Sequence, residues 1–155
     1  MTKTVEFNLR STLEGLNNPT YVFVFVVAKL IVAYLFSLLA LEYSGKSITS
    51  GFLEFRTETE HFIAAVLLAL VLETYFFQYL FFKYLSRYFK NYVIVFVSAF
   101  VFSLFHFYNS WYIVYAFFSG LLLSASYCYR PNAYPFLITL LIHSIYNLSA
   151  FLLNR

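Results

Sequence analysis

The chain has 155 residues, of which 62% are hydrophobic, 24% aromatic and only 11% charged. A soluble domain of this length carries about a quarter charged residues, so the expected class is an integral membrane protein. The net charge of +3 sits in short loops between apolar runs, which gives no nucleic-acid footprint, and the single cysteine, Cys128, excludes an intrachain disulfide and a cysteine zinc cluster.

The first 20 residues are mixed polar and read as a short cytoplasmic or interfacial segment. They are not expected to be a cleavable signal, because the run behind them is too long and lacks a small-residue cleavage site. That run, Tyr21–Leu41, is broken only by Lys29. Glu42–Glu60 is the one sizeable polar loop. The second run, Phe62–Phe82, is broken by Glu73. The third, Tyr92–Tyr108, holds His106 and ends at the break made by Asn109 and Ser110. The fourth, Trp111–Tyr129, is ended by Arg130–Asn132, and the fifth, Tyr134–Leu153, holds His143 and Asn147. Runs of about 20 residues cross a bilayer as helices, and these do not alternate as barrel strands do. The expected fold is all-α: a polytopic transmembrane helix bundle of about five spans, forming a single transmembrane domain over residues 1–155.

Loop charges give an orientation. One side carries Lys3, Arg10, Lys83, Arg87, Lys90 and Arg130; the other carries Lys46, Arg56 and Arg155, diluted by Glu42, Glu54, Glu58 and Glu60. Basic loops stay inside, so the N-terminus is expected to be cytoplasmic and the C-terminus external. The aromatic-rich composition hints at a bacterial source, which would place the chain in the inner membrane. Tyr21, Tyr92, Tyr108, Trp111 and Tyr134 sit at span ends and read as an aromatic belt, and His61 as interfacial. Ser103, Ser124, Ala125, Ser126 and Ser144 are small enough for close helix contacts, and Cys128 reads as a packing residue.

Ionisable groups inside spans face the bundle interior and mark functional pathways. Here they are Lys29, Glu73, His106 and His143, with Asn147 beside them. At about 1.5 Å per residue, Glu73 lies about 14 Å from the basic-side end of its run and His143 at a similar depth. His143 and Asn147, at i and i+4, share a helix face. A carboxylate and an imidazole can hold a water and take its proton, while an imidazole N–H and an amide can donate to an oxyanion. That is a kit for peptide hydrolysis without a covalent intermediate. The plain alternative is that these groups bridge helices by hydrogen bonds of about 1 kcal/mol each.

The residues also carry a resemblance. "ETYFFQ" at Glu73–Gln78, "FSLFH" at Phe102–His106 and "HSIYN" at His143–Asn147 resemble, in order and spacing, the EExxxR, FxxxH and HxxxN motifs of the CAAX-protease and bacteriocin-processing (CPBP, Abi) intramembrane endopeptidases. The stretch from Gly120 to Asn147 is similar to the block leading to that family's last motif. The resemblance implies a glutamate-dependent protease in which Glu73 and His106 activate water while His143 and Asn147 hold the oxyanion. It implies no metal and no other cofactor, and a membrane-anchored protein or propeptide as substrate, prenylated CAAX proteins being one option. Two positions depart from the motif, with Thr74 in place of its second Glu and Gln78 in place of its Arg. The chain is also short beside the larger bundles of the family, which raises the option of a homo-oligomer or a membrane partner.

Three other readings stay open. Glu73, His106 and His143 are acceptable zinc ligands, although no HExxH occurs. Ser119 before Gly120 offers a rhomboid-like serine with His143 as its base, but Phe117 stands where the upstream glycine belongs. A catalytically inactive member kept as an immunity or scaffold membrane protein is the non-enzymatic alternative. Lys29, about 12 Å into its span, either snorkels to the headgroups or supplies the charge missing at Gln78, near Glu73 or facing a substrate carboxylate.

Overall fold

The computed structural model describes residues 10–48, 69–130 and 134–153. His61, Arg155, the Phe62–Leu68 part of the second run and most of the Glu42–Glu60 loop lie outside them. The described residues are 84% helical and contain no strand, which makes the protein an all-α transmembrane helix bundle. Helix α1 (Asn18–Ser44) starts where the Asn17 side chain accepts from the Thr20 N–H at 2.9 Å, with Pro19 pre-set for the first turn. It stops at Gly45, whose φ of 63° suits a residue without Cβ and whose N–H caps Leu41.

The second apolar run yields α2 (Ala69–Glu73), a π-helical segment (Thr74–Leu80) and α3 (Phe81–Leu85) in direct succession. Helix α4 (Asn91–Leu104) follows, then α5 (Ser110–Cys128) and α6 (Pro135–Leu153). Asn109, expected only to break the chain, caps α5: its Oδ1 accepts from the Tyr112 N–H and its Nδ2 donates to the Ile48 carbonyl. Helices α1, α5 and α6 are each long and apolar enough to span a membrane, and α4 is a shorter apolar helix.

The packing is inside-out relative to a soluble protein. Phe23, Ile31, Tyr34, Leu35, Leu137 and Leu141 are exposed on the outside, whereas Lys29, Thr74, Gln78, Ser98, Ser124, Thr139 and His143 are buried. Lipid solvates the first set, and helix-to-helix hydrogen bonds satisfy Ser98, Ser124 and Thr139 of the second. Ser98 meets Ser124 at 2.8 Å, and Ser126 meets Thr139 at 3.1 Å. Helices α4 and α5 approach closely at Gly120, where a Cβ would sit 3.1 Å from the Ala99 Cα and from the Phe102 ring. The protein is therefore an integral membrane protein by its outer surface as well as its helix lengths.

Tyr21 departs from the belt expected of it. It is fully buried, its hydroxyl donates to the Ser126 carbonyl at 2.9 Å, and the Arg130 guanidinium lies 4.9 Å from its ring centre. Arg130 also donates to the Asn18 side chain and to the Glu14 carbonyl. The start of α1 is thereby tied to the end of α5, and the ring is used for this joint instead of for lipid.

Candidate active site

Three of the four candidate catalytic groups converge. The Glu73 carboxylate ends α2, and its Oε1 lies 3.8 Å from His106 Nε2 while its Oε2 lies 3.6 Å from His143 Nε2. Glu73 is thus flanked by one imidazole on each oxygen. Asn147 lies one turn beyond His143 on α6, half-buried and on the same helix face.

The local folding explains each position. Glu73 stands where the α-helical register gives way to the π-helical segment, a feature common at functional sites. Inside that segment the Phe77 carbonyl accepts a hydrogen bond from Ser98 on α4. The apolar run around His106 continues to Tyr108, but α4 ends at Leu104, so His106 is on the turn after the helix and not in it. Its N–H bonds the Ser103 carbonyl at 3.0 Å. Phe102, one turn earlier and buried, packs its ring 4.2 Å from the His106 ring and 6.4 Å from the His143 ring. Phe77 packs edge-on against Phe102 in turn.

These contacts decide a tautomer. His106 Nδ1 lies 2.7 Å from the Phe102 carbonyl, which can only accept, so Nδ1 carries the hydrogen and Nε2 is a bare acceptor. Nε2 and Glu73 Oε1 are then two acceptors facing each other across 3.8 Å. Such a pair needs a donor between them. A water about 2.8 Å from each would supply one hydrogen to each side and leave its lone pairs turned outward. His143 Nε2, 3.6 Å from the other oxygen, can donate toward Glu73 or toward an oxygen arriving beside it.

Several polar groups around the site lack protein partners. His143 Nδ1, Thr74 Oγ1, Lys29 Nζ and both ends of the Gln78 amide are buried without a hydrogen bond. Since His143 uses Nε2 toward Glu73 and leaves Nδ1 unbonded, the Ser119–His143 couple of a serine mechanism is not formed. Lys29 does not snorkel: it is 1% exposed, and its Nζ lies 4.5 Å from the centre of the Tyr146 ring. Among the described residues, no group of three or more His, Cys, Asp or Glu is arranged to hold a metal ion. Two neighbours escaped the sequence reading, Ser98 and Tyr146. Both are a small or aromatic residue in an apolar run, and only the packing shows that one braces the π-helical segment and the other meets Lys29.

No curated protein and no solved structure matches the chain significantly. The family model described as type II CAAX prenyl endopeptidase, Rce1-like, matches residues 56–149, more than half of the 155 residues. Glu73, His106, His143 and Asn147 all fall within the match, and Lys29 falls outside it. The chain belongs to the Rce1-like family of type II CAAX prenyl endopeptidases.

Proposed function

We propose that the protein is an intramembrane glutamic endopeptidase that hydrolyses a peptide bond of a membrane-associated protein or propeptide. Family membership supports endopeptidase activity. The observation that carries the finer reading is the Glu73 carboxylate held between His106 Nε2 and His143 Nε2. A water bonded to Glu73 and His106 attacks the scissile carbonyl carbon and leaves its proton on that pair. The carbonyl oxygen becomes an oxyanion facing the His143 N–H and the Asn147 amide. Collapse of the adduct breaks the C–N bond, and the stored proton passes to the departing amine.

The substrate approaches through the lipid bilayer, and a prenylated C-terminal peptide is the first candidate because of the family's name. The loop charges favour a cytoplasmic N-terminus, and the aromatic-rich composition favours a bacterial inner membrane.

The test is cleavage of a panel of prenylated and unprenylated propeptides by the purified protein, with products identified by mass. Glu73→Gln keeps the shape and cannot act as a base, so it should abolish cleavage while leaving the protein folded, and His106→Ala should do the same. His143→Ala and Asn147→Ala should each lower kcat by about 10²–10³-fold. Parent-rate cleavage by Glu73→Gln sinks the mechanism, and a parent protein that cleaves nothing turns the reading toward the inactive scaffold.

A further inference from the structure

Among the described residues, Glu73 is the one carboxylate that is not exposed. Of the described lysines and arginines, two are buried, Lys29 and Arg130. Arg130 is committed at the end of the bundle to Asn18 and Glu14. Lys29 has no such commitment: its ammonium is buried, lacks a hydrogen-bond partner among the described residues and lies 4.5 Å from the centre of the Tyr146 ring.

An ammonium in that position is expensive, since a ring face returns less than the desolvation of an unpaired charge costs. Its surroundings lead back to the site. Tyr146 lies one turn beyond His143 on α6, and His143 is 3.6 Å from Glu73. Lys29 itself is within electrostatic reach of Glu73, His106 and His143. Among the described residues, the other titratable groups that share the field of Glu73 are the phenols of Tyr108, in the turn before α5, and Tyr112, in its first turn. Neither they nor a neutral His106 can balance a carboxylate, and Lys29 can.

We infer that Lys29 is the counter-charge of Glu73, a positioning residue that fixes the carboxylate between His106 and His143 from a helix outside the stretch shared with the family. Among the described residues, one interior carboxylate and one uncommitted interior lysine on separate helices, α2 and α1, make a neutral pair. The pair also joins the N-terminal span to the catalytic helices. This inference rests on the reading of Glu73 as the base for its effect on rate, but the pairing itself can be tested without any substrate.

The experiment is a double-mutant cycle on melting temperature in detergent, using the full chain. Lys29→Met should lower the melting temperature by about 4 °C or more when Glu73 is present, and by far less in the Glu73→Gln background. If Lys29→Met fails to fold, rescue of folding by Glu73→Gln is the same coupling. Equal losses in both backgrounds, or misfolding in both, overturn the pairing. In the cleavage assay Lys29→Met should lower kcat by about 10²-fold with little change in KM, and Lys29→Arg should recover most of it. A Lys29→Met protein with the parent's kcat overturns the positioning role, and Lys29→Arg as impaired as Lys29→Met overturns the requirement for charge. A parent protein with no cleavage activity would end the peptidase reading, while the melting cycle would still decide the pair.

Discussion

Replacing Ser98 by alanine removes one hydroxyl that serves three helical segments. Ser98 is fully buried, and its single hydrogen goes to the Phe77 carbonyl inside the π-helical segment. Ser124 on α5, 2.8 Å away, must therefore donate to Ser98. The alanine leaves the carbonyl without its extra partner and deprives Ser124 of its acceptor. Interhelical hydrogen bonds in membranes are worth about 1 kcal/mol each, so the loss is about 2 kcal/mol. For a chain of this size that is a fall of about 4–8 °C in melting temperature, read from the fluorescence of Trp111, the only tryptophan. The larger effect is on geometry. Without Ser98 nothing on α4 braces the Phe77 carbonyl, the segment after Glu73 relaxes toward the α-helical register, and the carboxylate turns from the two imidazoles. A misplacement of about 1 Å costs about 10²-fold in rate. Ser124→Ala is the control: it removes only the Ser98–Ser124 bond, so it should cost about 1 kcal/mol and leave cleavage near the parent's rate. The reasoning is refuted if Ser98→Ala melts and cleaves like the parent, or if Ser124→Ala harms cleavage as much.

Gly120→Ala places a methyl 3.1 Å from the Ala99 Cα and the Phe102 ring, forcing α4 and α5 apart at a cost of about 1–3 kcal/mol. Because Phe102 backs both histidines, kcat should fall with it, and an unchanged melting curve would mean that the contact has slack. Tyr21→Phe loses the hydrogen bond to the Ser126 carbonyl, so it should cost about 1 kcal/mol in a denaturation experiment and nothing in kcat, the lost hydroxyl being bonded at the end of α5. Exhaustive dialysis against a strong chelator should leave cleavage intact, since the proposed mechanism makes its nucleophile with Glu73 and His106; a loss restored specifically by zinc would transfer the mechanism to a metal hydrolase.

The helical class was legible because a bilayer imposes about 20 apolar residues per span, and hydropathy reports that length directly. Glu73, His106 and His143 stood out for a related reason, as ionisable groups in apolar runs are costly enough to require an interior use. What hydropathy misses is register. Nothing in "TYFFQYL" distinguishes a π-helical from an α-helical segment, because both bury apolar side chains at similar spacing. Nor does the run through Tyr108 mark where α4 stops, since the turn at Phe105–His106 is as apolar as the helix before it. Tyr21 was read from its place at a span end, and its burial depends on Ser126 and Arg130, more than 100 residues later in sequence.

The altered first motif acquires a physical sense from the same packing. Thr74 and Gln78 stand where the family pattern has an acid and an arginine, and both remain fully buried. The pattern's two groups carry opposite charges about one helical turn apart. Removing one alone would strand the other in a low-dielectric interior, which costs several kcal/mol. Removing both leaves the net buried charge unchanged, and the two neutral polar side chains found here fit that joint loss. The unbonded Thr74 hydroxyl and Gln78 amide still give the interior beside Glu73 both donors and acceptors. Neither of these neutral side chains offsets the charge of Glu73 itself, so a counter-charge must come from another helix if Glu73 is to stay ionised. Lys29, buried and without a hydrogen-bond partner, is the group in position to provide it.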